Sequence, residues 1–396
     1  MDLDILAHAL EEAVANSDRM RMKCAGYPSD VRDAMLHDEL SRPLQKLFHD
    51  WSKTSGKALL RTGNGAIGTS YFLPLNLVRR AVLEGVKPSI EWLSSLLAKT
   101  EADYVRIMPI WGVDLDQKIG LTDTCSVRPL ASLPSSIQKD EITKRRLPQF
   151  GNASYTWTPP TSAIVVSRKL SPLFHSEDQS FQYDKTVDEE VEDARLCLSL
   201  VGPRLIIPGP QWDQFIDPDL ANLSLGGMSF RYQEIQAVRL KTFGDFDEEQ
   251  ARQVAVNFFG IPEVDRDRIR LALERFDRAM RRFSSGDAAL ELAMALEALL
   301  GDGNTELTWR VSFRSALLIG GTKAEMIEVR ALVQAIYSLR SSMVHTGKVS
   351  NEVKTKIGKL SAAAVSEKGI AIAADVITAA INRGNLPNWF EAEFGF

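Results

Sequence analysis

The chain has 396 residues, 44% of them hydrophobic and 25% charged, the balance of an ordinary globular protein with room for two or three cores. A net charge of −5 argues against a general nucleic-acid binder, which is basic overall, and leaves room for transient contact through a local patch. No run approaches ~18 uncharged apolar residues, so neither a transmembrane helix nor a membrane partner is expected.

In chain order, residues 1 to about 100 read as mainly helical. The opening MDLDILAHALEEA is acidic and helical in pattern, the opposite of a secretory leader, and a cytoplasmic location is expected. Leu3, Leu6, Leu10 and Val14 form one apolar stripe; Val31, Met35, Leu36 and Leu40 begin another. A third helical stretch spans residues 78–97, with a break expected near Pro88. From 101 to 250 the pattern predicts an α+β module. YVRIMPIWGVDL, SAIVVSRKL and FRYQEIQAVRLK read as strands, WTPPTS and IIPGPQW as turns, and VDEEVEDARLCLSLVG as an embedded helix. The helix EEQARQVAVNFF ends at Gly260, and Gly260 with Pro262 marks a domain boundary.

From about 260 to 396 the periodicity predicts helix only. Long helices over 264–283 and 289–300, the second after a Ser284–Ser285 cap, precede TELTWRVSFRSALLIGG and AEMIEVRALVQAIYSLRSSMVH. Ala-rich helix is expected from 351 to 383, with Gly384 at its C-terminal cap. Short connections between these helices predict an antiparallel bundle. The fold class is therefore mixed: an N-terminal α+β module followed by an all-α bundle.

The fourth helix of this bundle carries the chemistry. Val329, Leu332, Val333, Ile336, Met343 and Val344 recur at helical spacing and define a buried face. At ~100° per residue, Arg340 falls within ~40° of Val333, Ile336 and Val344. A guanidinium there needs a carboxylate, a phosphate or another subunit. Ser341 and His345 stand four apart on an adjoining face, and His345 occupies the last turn, where the helix dipole favours its cation.

The segment RSSMVH followed by Thr-Gly resembles the R-x4-6-H signature of HEPN proteins. AMALEALLGDGNTELTWRVSFRSALL with IYSLRSSMVHTGK resembles the ApeA-like branch of bacterial defence HEPN domains, over residues 260–396. That resemblance implies a metal-independent endoribonuclease, anti-phage or toxin in role, without cofactor, cleaving RNA at a site shared in a homodimer. Arg340, Ser341 and His345 would be catalytic, with Glu297 and Arg314 supporting them. The upstream region would sense an unknown trigger or restrain the nuclease. Two or more strands after residue 262 would end the HEPN assignment.

Two other readings stay open. Arg340 pairs with Glu297, which lies near Leu290, Ala293 and Leu300 on its own helix, with Arg310 and Arg314 competing for the acid, and His345 only caps a helix end. The bundle is then a non-catalytic binding or dimerisation module, or it assembles a ligand-sensing protein. Other signals are weak. Gly63-Asn64-Gly65-Ala66-Ile67-Gly68 spells GxGxxG, but no βαβ unit surrounds it and Pro74 should spoil the helix that follows. Asp114 and Asp116 lack the Gly-Ser loop of a nucleotidyltransferase. Cys24, Cys125 and Cys197 lack CxxC spacing, and His8, His37, His49 and His175 lack metal-ligand spacing, so no metal site is expected. The arginines of 266–282 read as a solvated, self-paired face, with Glu274 and Asp277 set four residues before Arg278 and Arg281 and contact with RNA as an added role.

Overall fold

The computed structural model describes residues 2–17, 31–144, 159–178, 184–221, 223, 245–302, 306–349 and 351–393. The strand expected over 230–241, Cys24, and the side chains of Val31, Met35, Leu36 and His37 lie outside the described residues. The chain opens with helices α1 (Leu3–Ala15) and α2 (Val31–Ser55), strands β1 (Leu59–Arg61) and β2 (Ala66–Gly68), and helices α3 (Thr69–Glu84) and α4 (Val86–Ala98). Strands β3 (Ala102–Trp111), β4 (Ile119–Gly120) and β5 (Cys125–Pro129) lead to helix α5 (Ile137–Lys144). Then come β6 (Ser162–Leu170), β7 (Phe174–His175), α6 (Lys185–Leu198), β8 (Ile207–Pro208), β9 (Trp212–Phe215) and the short α7 (Pro218–Ala221). Helices α8 (Glu248–Phe259), α9 (Glu263–Arg281), α10 (Ser285–Leu300), α11 (Leu307–Ile319) and α12 (Lys323–Thr346) follow. Strands β10 (Glu352–Thr355) and β11 (Gly358–Ser361), then α13 (Ala362–Arg383) and α14 (Trp389–Glu393), complete the order.

Two compact units share this order. One is built from Met1–Pro109, Leu130–Glu189 and Gly209–Arg231, the other from Ile110–Pro129, Glu190–Pro208 and Tyr232–Phe396.

In the first unit, β1 pairs antiparallel with β2 and with β7, setting Leu60 opposite both Ile67 and Phe174. Leu6, Leu10, Leu44, Phe48, Leu60, Leu73 and Leu77 form the core against this small sheet. Strands of two or three residues carry too little alternation to stand out in a helical region. The GxGxxG segment is the β1–β2 hairpin: the Thr62 N–H donates to the Gly65 carbonyl at 2.8 Å. Gly63 adopts φ 78°, and a Cβ there would lie 2.2 Å from the Asp213 carboxylate, so the glycine answers to a close approach inside the protein. Helix α3 does form after it, with Pro74 inside, which corrects the expectation of a spoiled helix. Burial of Leu73, Leu77, Val78 and Ala81 offsets the lost backbone bond, a defect of ~3 kcal/mol in an unsupported helix. The helical break expected at Pro88 falls at Gly85, φ 103°; Pro88 is accepted in the first turn of α4.

β9 pairs antiparallel with β3, bringing Arg106 opposite Asp213. Arg106 is buried and bonded to Asp188, to Asp213 at 2.9 Å and to Gln211. Asp213 also accepts from the Asn64 backbone N–H at 2.9 Å, so one buried ion cluster pins the hairpin turn.

The second unit is dominated by helices. α9 packs on α10, α10 on α12 and α13, and α11 on α12. Leu273, Phe276, Leu292, Leu296, Val333, Ile336, Ile377 and Ile381 share one core. Gly260 ends α8 without ending that core, because Val254 and Phe258 before it join Ile269 after it. Side-chain caps from Asp247, Ser284, Thr322 and Ser361 start α8, α10, α12 and α13, and Gly384 closes α13 as expected, at φ 79°.

The expectation of an all-α region is overturned between α12 and α13. β10 and β11 pair antiparallel, Val353 opposite Leu360. Val353, Thr355 and Ile357 are β-branched, Gly358 takes φ 121° at the turn, and Val353 is buried in the bundle core. The helix expected from 351 begins only at Ala362, after the Ser361 cap. Two strands after residue 262 meet the condition that ends the HEPN assignment on the fold.

Candidate functional site

Helix α12 is fixed at both ends. Thr322 and Glu325 form a reciprocal capping box, and Gly347 closes the helix at φ 66° with its N–H donating to the Met343 carbonyl at 3.0 Å. The helix therefore stops one residue after His345, which lies in its last turn.

The apolar stripe of α12 is buried from Leu332 through Val333 and Ile336 to Leu339. It does not continue to Val344, which is 60% exposed. Met343 takes the inward position instead, against Gly286 of α10; a Cβ on that glycine would meet Met343 at 3.2 Å and Val349 at 2.5 Å. With Met343 inward, Val344 and His345 of the same turn face solvent.

Arg340 stands where the buried stripe gives way. Its Nη1 donates to Glu297 Oε1 at 2.8 Å, and its guanidinium lies 5.6 Å from the centre of the Tyr337 ring. The pairing of Arg340 with Glu297 is therefore formed, and Glu297 belongs to the site. The Arg340 side chain is still 32% exposed, and this is the one bond it makes among the described residues; its fork carries five N–H donors. Burial, with the Glu297 charge adding to it, pushes the Tyr337 phenol far above its ordinary value and keeps it neutral.

The side chains of Ser341 and His345 are both exposed, and neither bonds to the other or to any described residue. The contact expected between them at i, i+4 spacing is absent. The site thus comprises Glu297, Arg340, Ser341 and His345 at one end of α12.

Arg314, expected to support these residues, is bonded elsewhere. It is 1% exposed and donates to Glu393 at 2.7 Å, to the Leu300 carbonyl at 2.6 Å and to Asp302 at 2.7 Å, with its guanidinium 5.2 Å from the Trp389 ring centre. Arg310 also goes to Asp302, at 2.9 Å, so neither competes for Glu297. Two arginines on Asp302, Arg314 foremost, hold its carboxyl down at about 2.

Most arginines of α9 and its C-cap are internal fasteners; Arg278 is exposed, and the pair with Glu274 that its spacing predicted is not formed among the described residues. Arg270 binds Asp193, Arg275 and Arg282 bind Glu291, and Arg281 binds Asp277, as its spacing predicted. Arg266 and Arg268 donate to the carbonyls that end α8 and α10. Asp277 is shared with the fully buried Arg195, which also holds Glu192 and the Ile206 carbonyl. Sequence periodicity showed arginines at helical spacing; it could not show that their acceptors lie on other elements.

Asp114 and Asp116 are exposed in a loop. Cys125 and Cys197 are buried free thiols, and burial pushes the Cys197 thiol well above its ordinary value. Among the described residues, no three His, Cys, Asp or Glu side chains gather as a metal site, and no helix is long and apolar enough to cross a membrane. Searched against family models, curated proteins and solved structures, the chain finds no match.

Proposed function

We propose that the chain is a metal-independent endoribonuclease using HEPN-type chemistry, acting in the prokaryotic cytoplasm in anti-phage defence or as a toxin. The observation that carries this is the exposed, unpartnered His345, little more than one helical turn beyond a guanidinium bonded to a single carboxylate oxygen. The β10–β11 hairpin departs from the sheet-free bundle, so the proposal rests on these side chains and not on the outline of the fold.

The chemistry assigns each residue a role. The ribose 2′-oxygen attacks the adjacent phosphorus, forming an O2′–P bond as the P–O5′ bond breaks. One His345 takes the 2′-hydroxyl proton, and a protonated His345 supplies one to the departing 5′-oxygen. Arg340 holds the phosphoryl oxygens through the part of its fork that Glu297 leaves free, and Glu297 keeps that fork oriented. Ser341, exposed beside them, donates to a phosphate oxygen. One chain offers one such histidine, so two copies about a two-fold axis complete the site. The exposed Val344, flanked by these residues, gains burial in that dimer. The region upstream of the bundle senses a trigger or restrains the nuclease.

The test is incubation of the protein with total and transfer RNA in EDTA. Fragments ending in 2′,3′-cyclic phosphate and 5′-hydroxyl are expected. A second reading, a non-catalytic dimerisation module, is favoured by the Arg340–Glu297 bond itself, which gives the arginine a structural partner. It predicts a dimer without cleavage.

A further inference from the structure

The chain carries a net charge of −5, yet the sign reverses just past His345. Between residues 348 and 359 four lysines, Lys348, Lys354, Lys356 and Lys359, stand against Glu352, a local charge of +3. All four are exposed.

The hairpin register sorts them. Val353 lies opposite Leu360, and this pair faces inward, Val353 within the bundle core and Leu360 packed against it. Neighbouring positions on a strand point to opposite faces, so Lys354 and Lys359, also directly opposite one another, share the outer face. Like charges in that position destabilise a strand pair. Glu352 relieves it little: its contact with Lys359 is 3.9 Å long between side chains each 66% exposed. Lys354 and Lys356 have no acidic partner among the described residues. A bound polyanion turns this repulsion into attraction.

Helix α12 packs on β10, so the hairpin lies beside the helix that bears Arg340 and His345, with its basic face turned away from the bundle core. We propose that the outer face of the β10–β11 hairpin is a clamp for the phosphodiester backbone of single-stranded RNA. The proposal rests on the ribonuclease reading for its choice of polyanion. In-line attack by a 2′-hydroxyl needs a backbone released from the A-form duplex, so the occupant is a single strand. No aromatic side chain occurs from 348 to 361, so the clamp grips backbone and tolerates any base.

The experiment measures binding of a fluorescent 2′-O-methyl oligouridine, which lacks the attacking hydroxyl, to the full chain over a range of salt. The variant Lys354→Gln/Lys356→Gln/Lys359→Gln leaves Val353, Arg340 and His345 untouched. Its Kd is expected to rise ~10-fold or more near 0.1 M salt, and the slope of log K against log salt to fall by about 2, as for three lost phosphate contacts on a single strand. The triple lysine-to-arginine variant retains tight binding. The melting temperature of the glutamine variant stays at or above that of the parent, because the Lys354–Lys359 repulsion is gone. Equal affinity and slope in the glutamine variant, no binding by the parent chain, or binding of phosphatidylserine vesicles in place of the oligonucleotide would each overturn the clamp. Separate failures are distinguishable: RNA cleavage with unchanged binding in the variant sinks the clamp alone. Hairpin-dependent binding without any cleavage by the parent sinks the ribonuclease alone.

Discussion

Arg314 on α11 and Arg340 on α12 occupy neighbouring helices of one bundle and are held in opposite ways. Arg314 is 1% exposed and fills its fork with two carboxylates and a backbone carbonyl. Arg340 is 32% exposed and spends one donor on Glu297. A buried guanidinium with every direction answered is a fastener, since any ligand would have to displace bonds already made. A half-exposed one, held by one oxygen and a ring face, is oriented and still able to bind. Charge and spacing in the sequence are the same for both; the number of acceptors around each separates them.

The largest expected effect comes from breaking the fastened member. Arg314→Ala strips partners from Asp302, Glu393 and the Leu300 carbonyl, and disruption of a buried pair typically costs ~3–5 kcal/mol. Because Asp302 is itself partly exposed and can rehydrate, a loss near ~3 kcal/mol is expected in urea denaturation. Arg314→Lys should rescue little of it, since an ammonium does not reproduce the fork. A variant as stable as the parent would undo the contrast.

Acid titration sharpens the same side. Asp302 sits at about 2 in the folded chain, below the ordinary carboxylate value of ~3.9 that it regains on unfolding. A depressed carboxyl contributes stability that is whole above the unfolded value and is lost as pH falls through the folded one. The window therefore runs from about pH 4 down to about pH 2. Asp302→Asn should flatten that part of the stability profile; an unchanged acid limb would show the Arg314 bond to be unimportant.

Smaller still is the effect of Arg340→Ala on stability. Its pair with Glu297 is open to water, and exposed pairs typically contribute ~0.2–1 kcal/mol. Thermal unfolding should move by a few degrees at most, while RNA cleavage fails. Arg340→Lys should fold like the parent and still cleave poorly. A drop in melting temperature rivalling that of Arg314→Ala would return Arg340 to a structural role.

The same contrast marks what was legible in the sequence. Helices α9 to α12 followed from apolar periodicity and punctuation, because Ser284 and Gly320 interrupt long uniform stripes. The Arg340–Glu297 pair was also readable, since both positions fall beside buried faces of their own helices. The hairpin was not: Val353 and Thr355 alternate over only four residues, next to an alanine-rich helix that dominates any longer window. Val344 was misplaced because Met343, one position earlier, takes the inward place against Gly286. The partners of Arg314 were hidden for a similar reason, as Glu393 lies 79 positions away in the chain.

The central claim, that the end of α12 is catalytic, meets its most direct test in His345→Ala. His345 is exposed and occupies a helix end, where loss of a dipole contact typically costs only ~0.3–1 kcal/mol, so the variant should melt within a few degrees of the parent. Loss of a general acid or base typically lowers the rate by about 10²–10⁴. The measurement is the rate of RNA cleavage in EDTA by folded parent and variant at equal concentration. The account predicts a collapse of that rate with folding intact. Cleavage at the parent rate by folded His345→Ala protein would contradict it.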